Sequence, residues 1–339
     1  MRKFLSFTMT VLFMLSLSSC DKSRKNVTPV PLTPSRVMKT SLGMPTSMQC
    51  RDGVLVIVDF QGTGGLVSLW NAETGKTLGY MSPKGNGTDE LVEAPIAEVT
   101  TIQGKNVINL YDLVKKRLLT YNFQDAVNGK KTKPTIVKMR SDGRYYGVNR
   151  LDGGYAAMGL FENNKFELLD DSLKVIGSYG TYLQPVKANK NKMVNAQANY
   201  GRSMVSPDKT LLVNISFAAG VVRFYDIKGN RLTHKKDAVV KPLNYSVKGN
   251  DYHNLEGMGF LALAISDKYV YALYSGEKEN FSTLMPTGKQ VYKYDYNGDL
   301  QAVYTLNAPT FTLAVSEDDK SLYTLTDHSG YFISAYSLP

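Results

Sequence analysis

The strongest constraint in this 339-residue chain is a β-hairpin that keeps returning. Its clearest copy is Gly288–Leu306, GKQVYKYDYNGDLQAVYTL. Val291–Tyr296 is dense in β-branched and aromatic residues, which suit a pleated, half-buried surface. Asn297-Gly298 predicts a type I′ turn, and Leu300–Leu306 returns as the second strand. Tyr225-Asp226-Ile227-Lys228-Gly229-Asn230 aligns with Tyr294-Asp295-Tyr296-Asn297-Gly298-Asp299. Leu69–Lys76, Leu110-Tyr111-Asp112, Leu168–Leu173 and Ser334-Ala335-Tyr336 read as further copies.

A second hairpin precedes these. Met204–Ser216, Leu261–Ser275 and Leu313–Thr326 are each strand, short Asp-containing turn, strand. Val54–Val58, Val107–Leu110 and Tyr155–Leu160 supply matching strands in the earlier units. One unit is therefore two hairpins, four antiparallel strands in roughly 40–50 residues, the size of a propeller blade. The reading is an all-β chain: one six-bladed β-propeller of four-stranded blades over residues 37–339, with no helix-period segment interrupting it. The last unit lacks a strand, and Val37–Leu42 is placed to supply it and close the ring, which removes exposed sheet edges.

The N-terminus carries an address. Arg2 and Lys3 precede an apolar run, Phe4–Leu17, too short for a stable membrane helix. Leu17-Ser18-Ser19-Cys20 ends it, and the segment resembles a bacterial lipoprotein signal, which implies cleavage after residue 19 and lipidation of Cys20. Residues 20–36 read as a tether, since Asn26–Pro34 holds three prolines and no core-forming pattern. The tail after Cys20 is basic overall, so a periplasm-facing outer-membrane anchor is expected rather than surface display. The net charge of +10 falls to +8 once Arg2 and Lys3 are removed with the leader. Its basic pairs are scattered and no aromatic-interleaved groove is evident, which argues against nucleic acid as a partner. Cys50 has no disulfide partner and reads as a small core residue.

Gly85-Asn86-Gly87-Thr88-Asp89-Glu90-Leu91, Val205-Ser206-Pro207-Asp208, Tyr269–Gly276 and Tyr294-Asp295…Gly298 together resemble the six-bladed, TolB-like propeller lipoproteins of Bacteroidetes. Thr88 stands where that family carries proline in its Gly-x-Gly-Pro-Glu segment. The resemblance implies the fold and an envelope address and assigns no activity.

Strand parity predicts a binding face. In a four-stranded blade, loops after strands one and three leave on one face, and those after strands two and four on the other. Ser206–Lys209, Ser266–Lys268, Ser316–Lys320, Lys228–Asn230 and Asn297-Gly298 are short loops of the first kind. The long insertions, Ser82–Pro95, Gln184–Arg202, Pro242–Gly257 and Gly276–Gln290, are all of the second kind. They should gather around one mouth of the central channel, as binding insertions in repeat proteins do. The candidate ligand-binding residues on them are Asp89, Glu90, Asn199, Tyr200, Arg202, Tyr252, His253, Glu256, Glu277 and Lys278. Tyrosines that stack, and charged groups that orient hydrogen bonds, suit a glycan or a protein partner. The competing reading of each residue is a loop that is polar because it is wet.

Catalytic and metal motifs are weak. His234, His253 and His328 are widely separated, so no metal and no cofactor are expected. Ser206 reads as a turn residue, and no Gly-x-Ser-x-Gly elbow occurs. Gly62–Gly65 and Gly85-x-Gly87 lack the lysine and helix of a phosphate loop. Asp171-Ser172-Leu173 resembles the O-glycosylation motif of Bacteroidetes envelope proteins, which makes Ser172 a candidate site. The expectation is a monomeric, non-catalytic module binding an envelope protein or glycan through its long-loop face, touching the membrane through its lipid alone. The alternative is a carbohydrate-active hydrolase or lyase with carboxylates at the channel.

Overall fold

Each sheet starts with a strand at the molecular axis and ends with one on the rim, after which the chain returns to the axis for the next sheet. The computed structural model describes residues 27–131, 133–141, 143–187, 189–278 and 285–339. The leader, Cys20 and the start of the tether lie outside the described residues.

Two short strands come first, β1 (Val30–Leu32) and β2 (Arg36–Lys39). Blade 1 is β3 (Pro45–Arg51), β4 (Val54–Asp59), β5 (Val67–Asn71) and β6 (Thr77–Met81). Blade 2 is β7 (Ile96–Ile102), β8 (Lys105–Asp112), β9 (Arg117–Asn122) and β10 (Thr135–Lys138), with helix α1 (Phe123–Val127) before its last strand. Blade 3 is β11 (Tyr145–Leu151), β12 (Gly154–Gly159), β13 (Phe166–Leu169) and β14 (Val175–Tyr179). Helix α2 (Lys192–Ala198) leads into blade 4, β15 (Gly201–Val205), β16 (Leu211–Ser216), β17 (Ala219–Lys228) and β18 (Arg231–Lys241). A separate hairpin follows, β19 (Tyr245–Lys248) and β20 (Asp251–Asn254). Blade 5 is β21 (Phe260–Ile265), β22 (Tyr269–Tyr274), β23 (Gly288–Asp295) and β24 (Leu300–Thr310). Blade 6 contributes β25 (Thr312–Val315), β26 (Ser321–Asp327) and β27 (Tyr331–Ser337).

The ring closes as the missing strand required. β2 pairs antiparallel with β27, Arg36 opposite Ala335 and Lys39 opposite Phe332, and becomes the outer strand of blade 6. The proline-rich stretch read as tether departs from expectation. Val30–Leu32 adds to the rim of blade 5, parallel to β24, and Leu32 is buried there. Pro31, which lacks an N–H, is tolerated because β1 is an edge strand.

The core is distributed between blades. Val56, Leu69, Ile108 and Leu110 fill the seam of blades 1 and 2, while Leu55, Ile57, Leu325 and Ile333 fill that of blades 6 and 1. Because each blade is covered on both faces, the second strands are buried throughout, as in β4, VLVIVD. This masks the period-two pattern where the fold is most stable.

Two local expectations change. Leu110-Tyr111-Asp112 ends β8, a second strand, and the counterpart of the recurring hairpin is Tyr121-Asn122 at the end of β9. The Asn297-Gly298 turn is not type I′. Gly298 has φ +75° and Asn297 is not among the positive-φ residues. The Gly298 N–H donates to the Asp295 carbonyl at 2.9 Å, and the Asp295 N–H to the Asp299 carbonyl at 3.0 Å. This is a type I turn closed by a left-handed glycine. The Asp295 carboxylate selects it by accepting from the N–H groups of Asn297 and Asp299, both at 2.9 Å. Helices α1 and α2, of five and seven residues, are too short to leave a helical period in the sequence.

Candidate functional site

The first strands of the blades line a central channel, and their direction fixes its polarity. Each runs from the long-loop face towards the short-loop face, so residues early in β3, β7, β11 and β15 surround its upper half. There a cavity of about 220 Å³ is lined by Thr46, Gln49, Glu98, Tyr146, Asn149, Tyr200, Arg202, Ser203 and Phe217 among others. Lower down, Met48, Met204, Val205, Ala264, Ala314 and Val315 line a much smaller space of about 30 Å³. The channel thus narrows from the long-loop face towards the short-loop face, and its wider part lies beneath the long loops.

Polar side chains in this wall tie neighbouring blades together. The Gln49 amide donates to the Ala97 carbonyl at 2.8 Å and accepts from the Val99 N–H at 2.9 Å, joining blades 1 and 2. Glu98 accepts from the Arg150 N–H at 2.8 Å and from the Asn109 amide at 3.3 Å, joining blades 2 and 3. The Asn149 amide donates to the Ser203 hydroxyl at 2.7 Å, joining blades 3 and 4. Desolvation raises the Glu98 carboxyl from 4.5 to about 7 despite its donors. Glu98 keeps part of its surface open to the cavity but sits deep among protein atoms.

Arg202, second residue of β15, reaches from blade 4 to the opposite side of the ring, where its Nη2 donates to the Thr46 carbonyl at 3.0 Å. Desolvation lowers its pKa, and the neighbouring Tyr200 hydroxyl acts in the opposite direction. No carboxylate pairs with Arg202 among the described residues. Tyr200, 43% exposed, stands at the rim with its ring edge-on to Tyr146 at 4.4 Å and to Phe217 at 5.3 Å. The Tyr146 hydroxyl is buried without a hydrogen-bond partner among the described residues.

The ten sequence candidates separate into groups. Arg202 and Tyr200 line the pocket. Glu90 and Asn199 serve their own loops. The Glu90 carboxylate accepts from the Gly87 N–H at 2.8 Å, and a Cβ on Gly85 would come within 2.1 Å of it, which explains the glycines of that segment. Arg117, held by Asp112 at 2.9 Å in a buried pair, donates to the carbonyls of Thr88 and, at 2.8 Å, Glu90. Asn199 caps α2 and is buried, exchanging hydrogen bonds with Leu183 at 2.8 and 3.1 Å, while the buried Lys165 donates to its carbonyl. Asp89, His253, Glu256, Glu277 and Lys278 are exposed on the long-loop side. Tyr252 lies on β20 with its ring 5.9 Å from Tyr245, in the insertion that α2 and the β19–β20 hairpin build over blade 4. On the short-loop face, the Ser172 hydroxyl donates to Asp170 at 2.8 Å in a turn anchored by buried Leu173. No group of metal-ligating side chains occurs among the described residues. Glu98, Gln49, Asn149 and Tyr146 escaped the sequence reading. Their one signal was polarity inside the first strand of a blade.

Fold and site define a six-bladed β-propeller whose channel is widest beneath the long loops. Residues 29–318 match the family described as TolB-like 6-blade propeller-like, and the chain belongs to that family. No curated protein matches the sequence. Among solved structures, the β-propeller domain of Cps50 (Swd1) from Myceliophteria thermophila is similar at 11% identity and a TM-score of 0.50, over 91% of this chain and 100% of that one. A chain of a mitotic checkpoint complex aligns at 11% identity and a TM-score of 0.44, over 98% and 99%. Identities this low speak to the fold alone.

Proposed function

We propose that this protein is a non-catalytic binding module of the cell envelope, which engages an envelope protein or glycan through its long-loop face. The observation that carries this reading is the coincidence of three features on one face: the insertions, the exposed polar rim and the wide end of the channel. Lipidation at Cys20 anchors the chain to the outer membrane, facing the periplasm. β1 runs parallel to β24 towards the long-loop face, so the preceding chain arrives from the short-loop side.

Glu98 supports a second reading, a carbohydrate-active hydrolase or lyase, since a carboxyl raised to about 7 suits a general acid. A single experiment separates them. The protein is immobilised and exposed to solubilised envelope beside two variants. One carries His253, Glu256, Glu277 and Lys278 changed to Ala, and the other carries Asp267 and Asp318 changed to Ala on the opposite face. Retention of one species by the parent and the second variant, but not the first, is the expected result. Equal retention by all three removes the long-loop face as the site. Turnover of an envelope glycan that is lost in Glu98→Gln establishes the enzyme instead.

A further inference from the structure

Arg202 is the charge in the pocket that the fold does not use. A guanidinium carries five N–H donors in a planar fork suited to a carboxylate. Here one of its nitrogens meets a neutral backbone carbonyl, no acid among the described residues pairs with it, and none of its atoms is a buried group left without a partner, so the remaining donors face the cavity. Structural arginines in the same molecule look different: Arg117 is locked to Asp112 and Arg223 to Asp237, each side chain at most 9% exposed. We propose that the upper channel is a binding site for a carboxylate, gripped by Arg202 beneath the Tyr146–Tyr200 pair. The inference rests on the long-loop face being the binding face and names the chemistry taken at its centre.

Size and charge narrow the ligand. A cavity of about 220 Å³ is below the roughly 300–1,000 Å³ of sites for drug-sized molecules, so it suits a small acid or the last residue of a chain. One guanidinium offers one positive charge, and Glu98 in the same cavity disfavours a dianion such as phosphate. The Glu98 wall instead favours a carboxylate that also bears a hydrogen-bond donor, as a hydroxy acid, an amino acid or a peptide C-terminus does.

The test is titration calorimetry on the purified protein. The probes are lactate, alanine, a tripeptide with a free C-terminus and the same tripeptide amidated, each up to about 10 mM, with inorganic phosphate as a control. At least one carboxylate should bind. Its affinity should fall at least about tenfold in Arg202→Gln, the size of a lost charged hydrogen bond. Arg202→Lys, which keeps the charge without the fork, should recover part of it and show that the pocket wall is intact. Binding of the free tripeptide alone identifies a chain terminus as the source, and binding of lactate or alanine alone a free acid. Equal binding of the amidated tripeptide, preference for phosphate, an unchanged affinity in Arg202→Gln, or no binding of any carboxylate overturns the proposal. Capture of an envelope partner in the face experiment, with no carboxylate bound here, defeats the pocket proposal and leaves the binding face standing.

Discussion

The ring is built in two ways. Around blades 5 and 6 the axial strands are FLALAI and TLAV, β21 and β25, and apart from the buried threonine Thr312 they present apolar groups alone. Around blades 1 to 4 the axial strands are PTSMQCR, IAEVTTI, YYGVNRL and GRSMV, and nearly all their residues before the lower end line the pocket. In the first half, alanines let strands close on one another and dispersion holds the seam. In the second half, neighbouring axial strands are joined by side chains, through Gln49, Glu98 and Asn149. Apolar seams run between blades all round the ring, so a propeller can vary the polarity of its axial strands, and with it the wall of its channel, without giving up its core.

The two sides should differ most in how they tolerate a new charge. Ala314, fully buried in the seam of blades 6 and 1, has no donor waiting for a carboxylate. Ala314→Asp should cost several kcal/mol, a large part of the about 5–15 kcal/mol that holds a domain together, and the protein should fail to accumulate in folded form. Ser47→Asp, on the pocket wall, should melt within a few degrees of the parent because water reaches the new carboxylate. Soluble yield and near-ultraviolet circular dichroism read both, and equal tolerance would end the distinction.

Charged groups in the polar half should matter where they are buried. Arg117→Ala leaves Asp112 without its partner and frees the carbonyls of Thr88 and Glu90. A loss of about 3–5 kcal/mol is expected, seen as a lower denaturation midpoint, with proteolysis starting in Ser82–Pro95.

The sequence made the repeat legible because its signals are local. The Ser-x-Asp turns after the first strands are visible as Val205-Ser206-Pro207-Asp208 and Ser316-Glu317-Asp318. In both, the serine hydroxyl donates to the aspartate, at 2.6 and 2.7 Å, and accepts from the N–H that opens the next strand. The side of the long loops followed from parity alone. The pocket was less legible, because it depends on which blades face one another across the ring. Arg202 looked like the end of a loop, and only its place as second residue of β15 sends it towards Thr46 on the opposite wall. Asn199 and Glu90 looked free, since nothing in the sequence distinguishes a polar loop residue facing solvent from one that satisfies its own backbone. Glu98 was hidden by apolar neighbours that set the strand.

Glu98 makes the stability of the polar side depend on pH. Its folded-state pKa is raised from 4.5 to about 7, so folding favours the protonated form. The stability it contributes is therefore fully present below about pH 4.5 and is lost as pH rises through about 7. The shift corresponds to about 3 kcal/mol at most. The midpoint of unfolding should fall between pH 5 and pH 8, and Glu98→Gln should flatten that slope while leaving the remaining pH dependence. An unchanged slope in the variant would place the tie between blades 2 and 3 elsewhere.

The smallest effect is expected from an exposed ion pair at the seam of blades 4 and 5, where the polar and apolar sides meet. Lys236 in β18 meets Asp299, beside the turn of β23 and β24, at 2.5 Å across the seam of blades 4 and 5, and both side chains are well exposed. Solvent and salt screen such a pair, and holding two long side chains in one geometry offsets most of the attraction. Lys236→Ala should therefore shift the unfolding free energy by less than about 1 kcal/mol, and raising the salt concentration should erase even that. Beneath the pair, Phe224 and Tyr294 meet edge-on at 5.9 Å inside the same seam. Phe224→Ala should cost about 3–5 kcal/mol at any salt concentration. A salt-sensitive loss at Lys236 of comparable size would mean that ion pairs, rather than packed rings and alanines, close this side of the ring.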